Sequence, residues 1–163
     1  MSEHHIRRVE PSDVPAVVGL VHELAEYERA ADQCHVSTDQ LSTALFGDHV
    51  ALYGHVGELD DVVVGCALWF RNFSTWRGVY GIYLEDLFVQ PAHRGHGLGR
   101  ALLAALAAEC ARQGYARLEW SVLDWNEPSI GFYRSLGAVA QDDWSVFRLA
   151  DDALTALAGT AKS

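Results

Sequence analysis

The 163-residue sequence predicts a mixed α/β layer architecture in one domain. Three observations carry that prediction. Apolar residues recur at helical spacing near the start, residues 50–90 are rich in β-branched and aromatic side chains, and a glycine-rich turn then leads into a second apolar helical stripe. With 50% hydrophobic and 21% charged residues, the chain can bury a core without a disulfide or metal staple.

The elements follow in chain order. Residues 6–9 read as a short strand. Val14, Val17, Val18, Val21 and Leu24 then share a helical face, with Ser12 or Asp13 at the N-cap and Pro15 tolerated in the first turn. Ser37 with Gln40 three residues on is a capping-box pattern for a second helix, which runs to Phe46 and stops at Gly47. Residues 50–56 and 62–70 flank Glu58, Asp60 and Asp61 as a hairpin, and 79–90 form a long strand interrupted by Glu85 and Asp86. Leu98, Leu102, Leu103, Leu106 and Cys110 form a helical stripe ended by Gly114. A strand over 116–123, a helix from Asn126 to Gly137 and a last strand over 144–149 complete the order, and 159–163 is expected to fray.

Charge and cysteine use exclude several classes. Twelve Lys and Arg against 22 Asp and Glu give a formal net charge of −10, which argues against nucleic acid or an anionic membrane as partner. Cys34, Cys66 and Cys110 are widely spaced and lack a C-x-x-C pair, as expected of buried thiols in a reducing compartment. The charged N-terminus is unlike a signal peptide, and no apolar run approaches the ~20 residues of a membrane span. A cytoplasmic location is expected. None of the eight histidines falls in an H-E-x-x-H pattern, so no metal is expected either.

The segment from Gln90 to Arg100 carries the most chemistry. Gly95, Gly97 and Gly99, between a strand and a helix, let backbone N–H groups and the helix N-terminus converge on an anion such as a pyrophosphate. A Walker loop is excluded because the only lysine is Lys162, and Arg100 stands where a dinucleotide fingerprint wants its last glycine. A plain strand-to-helix turn is the remaining alternative.

Leu87-Phe88-Val89 followed by Arg94-Gly95-His96-Gly97-Leu98-Gly99, and downstream Asn126-Glu127-Pro128-Ser129-Ile130-Gly131-Phe132-Tyr133, resemble the two signatures of the GNAT superfamily of N-acetyltransferases. Leu24-Ala25-Glu26-Tyr27-Glu28, Tyr83-Leu84-Glu85-Asp86 and Trp125-Asn126-Glu127-Pro128-Ser129 are most similar to the spermidine/spermine and thialysine acetyltransferases of that superfamily. The resemblance implies a central, mostly antiparallel sheet with a splayed parallel pair, flanked by helices. It also implies acetyl-CoA as co-substrate, a small cationic amine as acceptor and a homodimer. The coenzyme would meet Leu87, Phe88, Val89, Arg94, Gly95, His96, Gly97, Leu98, Gly99, Arg100, Asn126, Pro128, Ser129 and Tyr133.

An alkylamine is almost wholly protonated at neutral pH, so a base must take its proton before attack. Glu85 lies in an apolar strand, where burial would suit it to that role; the alternative is an acid on a half-exposed strand face. By resemblance, Tyr133 protonates the departing thiolate, the alternative being a core aromatic with a satisfied hydroxyl, and Tyr27, Glu28 and Glu85 meet the acceptor; Asp86, Glu119 and Asp142 fall in segments expected near it, and Trp120 would line an aliphatic chain. The negative charge then divides by function, with acids on the acceptor side and Arg94 and Arg100 at the pyrophosphate turn. Two other functions fit the same signatures: a protein lysine or N-terminal acetyltransferase, and a silent acetyl-CoA sensor.

Overall fold

The computed structural model describes residues 3–162; Met1 and Ser2 of the polar N-terminus, and Ser163 of the tail expected to fray, lie outside the described residues. The chain divides into two compact units, Met1–Leu123 and Asp124–Ser163.

The first unit runs β1 (His4–Arg8), α1 (Val14–Tyr27), α2 (Thr38–Phe46), β2 (Tyr53–Leu59), β3 (Val62–Ser74), β4 (Val79–Val89), α3 (Leu98–Gln113) and β5 (Leu118–Trp120). Its sheet has the order β1-β2-β3-β4-β5. The first four strands pair antiparallel and β5 lies parallel to β4, so the fold class read from the sequence holds.

Alternate residues of a strand face opposite sides, and the sheet uses both. Val56, Cys66, Leu68 and Phe88 join Val14, Val17, Leu20, Leu41 and Leu45 in a core with α1 and α2. On the opposite face, a Cβ at Gly57 would come within 3.1 Å of Leu98 Cδ2, so glycine is what lets α3 lie this close. Leu98, Leu102 and Leu106 are buried, as their spacing predicts.

Caps fix where the helices start. In α2 the amide of Gln40 donates to Ser37 Oγ at 3.2 Å, and Ser37 N–H donates to Gln40 Oε1 at 2.9 Å, completing the expected box. Asp13 precedes α1 without capping it through its side chain. Its carboxylate instead accepts from Arg7 at 2.7 and 2.9 Å and from Glu10 N–H at 2.8 Å. Arg7 also donates to Glu58 at 2.7 Å, tying the start of α1 to the first two strands and holding both carboxyls below their ordinary range.

His55 is buried beside Trp69, whose Nε1–H donates to His55 Nδ1 at 3.1 Å. Burial first, and then the positive charge of Arg8, push this imidazole down to about 4; Glu109 and Arg112 oppose one another as lesser influences. The folded chain therefore binds fewer protons here than the unfolded chain. Stability is expected to fall by up to about 3 kcal/mol as pH drops from His55's ordinary 6.5 towards about 4. Urea midpoints measured across that range should show it. His55→Gln, which can still accept from Trp69 but does not titrate there, should flatten the slope.

The second unit holds α4 (Glu127–Ser135) and α5 (Asp151–Ala158). Two expectations are corrected by the structure. The strand expected over 116–123 is confined to Leu118–Trp120, and residues 144–149 form no strand. Val146 and Phe147 are adjacent bulky residues that break a period-two pattern, and no described strand pairs with them. Helix α5 was not read from the sequence. Asp151 and Asp152 in its first turn and the Leu154–Leu157 spacing were its signals.

Candidate active site

Strand β4 pairs regularly with β3 except at one point. Trp69 faces Leu84, the adjoining Leu68 faces Asp86, and Glu85 is left as the extra residue of a bulge. The bulge shifts the alternation by one, so Asp86 shares a face with Leu68 and hence with the α1 core.

The bulge gives the two neighbouring acids opposite surroundings. Glu85 is exposed, against the burial expected within an apolar strand, because the bulge takes it out of the ladder. The carboxyl that loses water is that of Asp86. Its pKa is pushed up to about 6 by burial and then by the negative charges of Glu85 and Glu28. Glu28 stands at the C-cap of α1 and is itself raised by burial. The last turn of α1 carries no basic residue, so the negative end of the helix dipole adds to these acids. The resulting field favours a cation.

A cation of the protein lies alongside. The Arg94 guanidinium sits 5.1 Å from the Tyr27 ring centre and 5.6 Å from that of Phe88. Its Nε donates to Val89 O at 3.0 Å. Gln90 Nε2 donates to Glu23 at 3.0 Å, a second tie between the turn after β4 and α1. Neither tie was read from the sequence, because each joins residues more than 60 positions apart.

Beyond this point the parallel pair splays. Strand β5 meets β4 only from Ile82 to Leu84, so among the described residues no strand lies on that side of β4 from Glu85 to Val89. The glycine turn follows. Gly95 and Gly97 adopt positive φ of 87° and 78°, and α3 begins with neither a side-chain cap nor an acid in its first turn. His96 and Arg100 are exposed at this end, whereas the Leu98 side chain is buried, leaving only its backbone to face a ligand.

Gly99 tests whether the turn suits a coenzyme. It lies in the first turn of α3 outside the positive-φ region, and a Cβ there would meet no protein atom within 4 Å. Alanine would serve that helix better by roughly 1 kcal/mol, so the protein's own packing does not call for glycine. Bare helix amides and open space at the start of α3 fit a pyrophosphate.

The remaining predicted site residues are placed as follows. Glu119 on β5 is held by Arg117 Nε at 2.9 Å, with Asn72 Nδ2 at 3.4 Å, and Trp120 is half-buried on the same strand. Tyr83, given no role of its own in the sequence analysis, shares a 2.7 Å hydroxyl contact with Ser121. In the second unit the buried Asn126 caps α4, its Oδ1 accepting from Ser129 N–H at 3.4 Å, and Pro128 lies in the first turn. Tyr133 is half-buried on the same helix with its ring 5.6 Å from Phe132, and Asp142 is exposed in a turn.

The chain belongs to the acetyltransferase (GNAT) family, whose profile matches residues 19–138, and it is a GNAT-type N-acetyltransferase. Among curated relatives it is 34% identical to the thialysine N-epsilon-acetyltransferase of Bos taurus, over 94% of this chain and 96% of that protein. It is also 30% identical to the human spermidine/spermine N(1)-acetyltransferase-like protein 1, over 91% of this chain and 23% of that longer protein. Among solved structures, the integron cassette protein VCH_CASS6 from the V. cholerae mobile metagenome superposes with a TM-score of 0.81 at 27% identity, covering 96% and 98% of the two chains. Both resemblances read from the sequence are therefore found. Among the described residues, no helix is long and apolar enough to cross a membrane, and no group of three or more His, Cys, Asp or Glu side chains could hold a metal ion.

Proposed function

We propose that this chain is an acetyl-CoA-dependent N-acetyltransferase. It transfers acetyl directly to a primary amine of a small cationic acceptor: a polyamine, a diamine or a thialysine-like amino acid. Residues 1–163 act as one domain, in the cytoplasm, as a homodimer. The observation that carries this reading is the convergence of Glu28, Glu85 and Asp86 at the negative end of α1, on the strand that leads into the glycine turn.

When bound, the coenzyme supplies an activated acetyl thioester and a thiol leaving group. The backbone of residues 95–100, with Arg94 and Arg100, holds the pyrophosphate. Leu87, Phe88 and Val89 present the splayed edge of β4, where backbone amides polarise the acetyl carbonyl. Asn126, Pro128 and Ser129 hold the coenzyme from the start of α4. Glu85, exposed at the bulge, takes the amine proton directly or through a water, and Tyr133 holds a proton at Oη for the leaving thiolate. Tyr27, Glu28, Asp86, Glu119, Trp120 and Asp142 receive the rest of the cation.

A coupled thiol-release assay over polyamines, diamines, thialysine and free amino acids tests this reading. Turnover with a multiply charged amine is expected, and turnover with none of them would sink it. Added salt should raise KM for a polyamine more than for a monoamine, since more charge is screened. Gly99→Ala should stabilise the fold by about 0.5–1 kcal/mol yet raise the KM for acetyl-CoA, because the new methyl enters the coenzyme's space. A more stable variant with unchanged KM would free Gly99 of any ligand role.

A further inference from the structure

We propose that Arg117 is a specificity-determining residue: it occupies Glu119 and so favours a short diamine or a thialysine-like amino acid over longer polyamines. This rests on the acceptor site proposed above and narrows its substrate class.

Register places the residues concerned on one face of the sheet. Leu68 pairs with Asp86, Phe70 with Tyr83 and Asn72 with Gly81. Leu68, Phe70 and Asn72 are alternate residues of β3, so Asp86, Tyr83 and Gly81 share a face across the bulge. Strand β5 extends that face, since Tyr83 pairs with Glu119 and its hydroxyl lies 2.7 Å from Ser121 Oγ. The rings of Phe70 and Tyr83, 5.2 Å apart, floor the stretch between Asp86 and Glu119. All of these residues belong to the first unit.

The two ends of the stretch differ in charge. The charges that act on Asp86 are those of two further acids, Glu85 and Glu28. Glu119 is already neutralised, by Arg117 Nε at 2.9 Å, with Asn72 Nδ2 at 3.4 Å. Gly81 makes that arrangement fit. A Cβ there would come within 2.9 Å of Asn72 Oδ1 and 3.3 Å of Arg117 Cγ, so glycine inside the strand lets both side chains lie across β4 towards Glu119. Asn72 Oδ1 is buried with no hydrogen-bond partner among the described residues, so only the carboxylate fixes which way this amide turns.

Reach decides which acceptors meet Arg117. Asp86 and Tyr83 lie two β3 residues apart in register and Glu119 lies one strand further over, which puts about 8 Å between the Asp86 and Glu119 backbones. A short diamine held by Glu28, Glu85 and Asp86 keeps both its charges within that span. A linear triamine extends past it. Its far ammonium either meets the Arg117 guanidinium, which repels it, or takes Glu119 by breaking the ion pair.

The ratio of kcat/KM for spermidine to that for putrescine, followed by thiol release, tests the inference in the natural chain and in three variants. Arg117→Met removes the charge and keeps an unbranched stem over Gly81, and Arg117→Lys keeps a cation. Arg112→Met removes a cation from the Glu109 pair on α3, so it matches the change in net charge away from the acceptor face. The natural chain should favour putrescine. In Arg117→Met the ratio should rise about fivefold or more, through a lower KM for spermidine, while Arg117→Lys and Arg112→Met stay within about twofold of the natural chain. A natural chain that favours spermidine overturns the inference whether or not the variants fold. So does an unchanged ratio in Arg117→Met, or an equal rise in either of the other variants. In each of those cases acetyl transfer to an amine still stands. Turnover with no amine at all removes that reading and this inference with it.

Discussion

Tyr133→Phe is expected to lower kcat by about 100- to 10,000-fold, the range supplied by a positioned proton donor, while coenzyme affinity stays within about twofold. The substitution removes one oxygen and keeps the ring. The contact with Phe132 at 5.6 Å therefore survives, and so does the helical position on α4. A leaving thiolate needs a proton that a phenol can give and a phenyl cannot. In the proposed role the stabilisation lost is that of the transition state, so the effect is expected in kcat and not in coenzyme binding. Single-turnover measurements with saturating coenzyme isolate the chemical step. An unchanged rate would remove Tyr133 from the mechanism. A fall in affinity matched by loss of circular dichroism would assign it to packing.

The sequence revealed most where one kind of signal was local and strong. Ser37 and Gln40 form the box that their spacing announces, the Leu98–Cys110 stripe is buried, and Gly114 closes α3 in the left-handed region. Glycine spacing likewise marked the turn after β4, because positive φ at Gly95 and Gly97 is a backbone demand that few other residues meet. The arrangement of the acids was less legible. Whether Glu85 or Asp86 is buried depends on a bulge opposite Leu68 and Trp69, and nothing in Glu85-Asp86 itself announces which residue is extra. The stacking of Arg94 on Tyr27 was hidden for a related reason, since only the folded sheet brings the end of α1 to the end of β4. The strand expected over 144–149 shows the limit of propensity: strand-forming side chains need a partner strand, and the sequence does not say whose.

Asp86→Asn is expected to make the protein more stable and much less active. Asp86 is raised from 3.8 to about 6 by burial and by Glu85 and Glu28, so ionising it in the folded chain costs about 2–3 kcal/mol near neutral pH. The sign follows from the proton count. Between about 4 and 6 the folded chain holds a proton here that the unfolded chain has released, so this site's penalty fades as pH falls. His55 works in the opposite direction across much of the same window, so the two variants should change the slope of stability against pH with opposite signs. Asparagine removes the carboxylate's cost at pH 7 and should raise the urea midpoint. It also removes the charge that a cationic acceptor would neutralise. Truncating one partner of a poorly solvated charge pair costs roughly 2–5 kcal/mol, so kcat/KM for a diamine should fall by about 30-fold or more, mainly through KM. The acidic limb of the natural enzyme's kcat/KM profile should lie near 6 and vanish in Asp86→Asn. Glu85→Gln should leave Asp86 to titrate, with its limb moved downward because one repelling charge is gone. A protein that tolerates an unneutralised carboxylate among two other acids gives up stability at that point, and in the proposed function the amine acceptor restores the balance. If Asp86→Asn gained stability without losing kcat/KM, the cation would have to bind elsewhere.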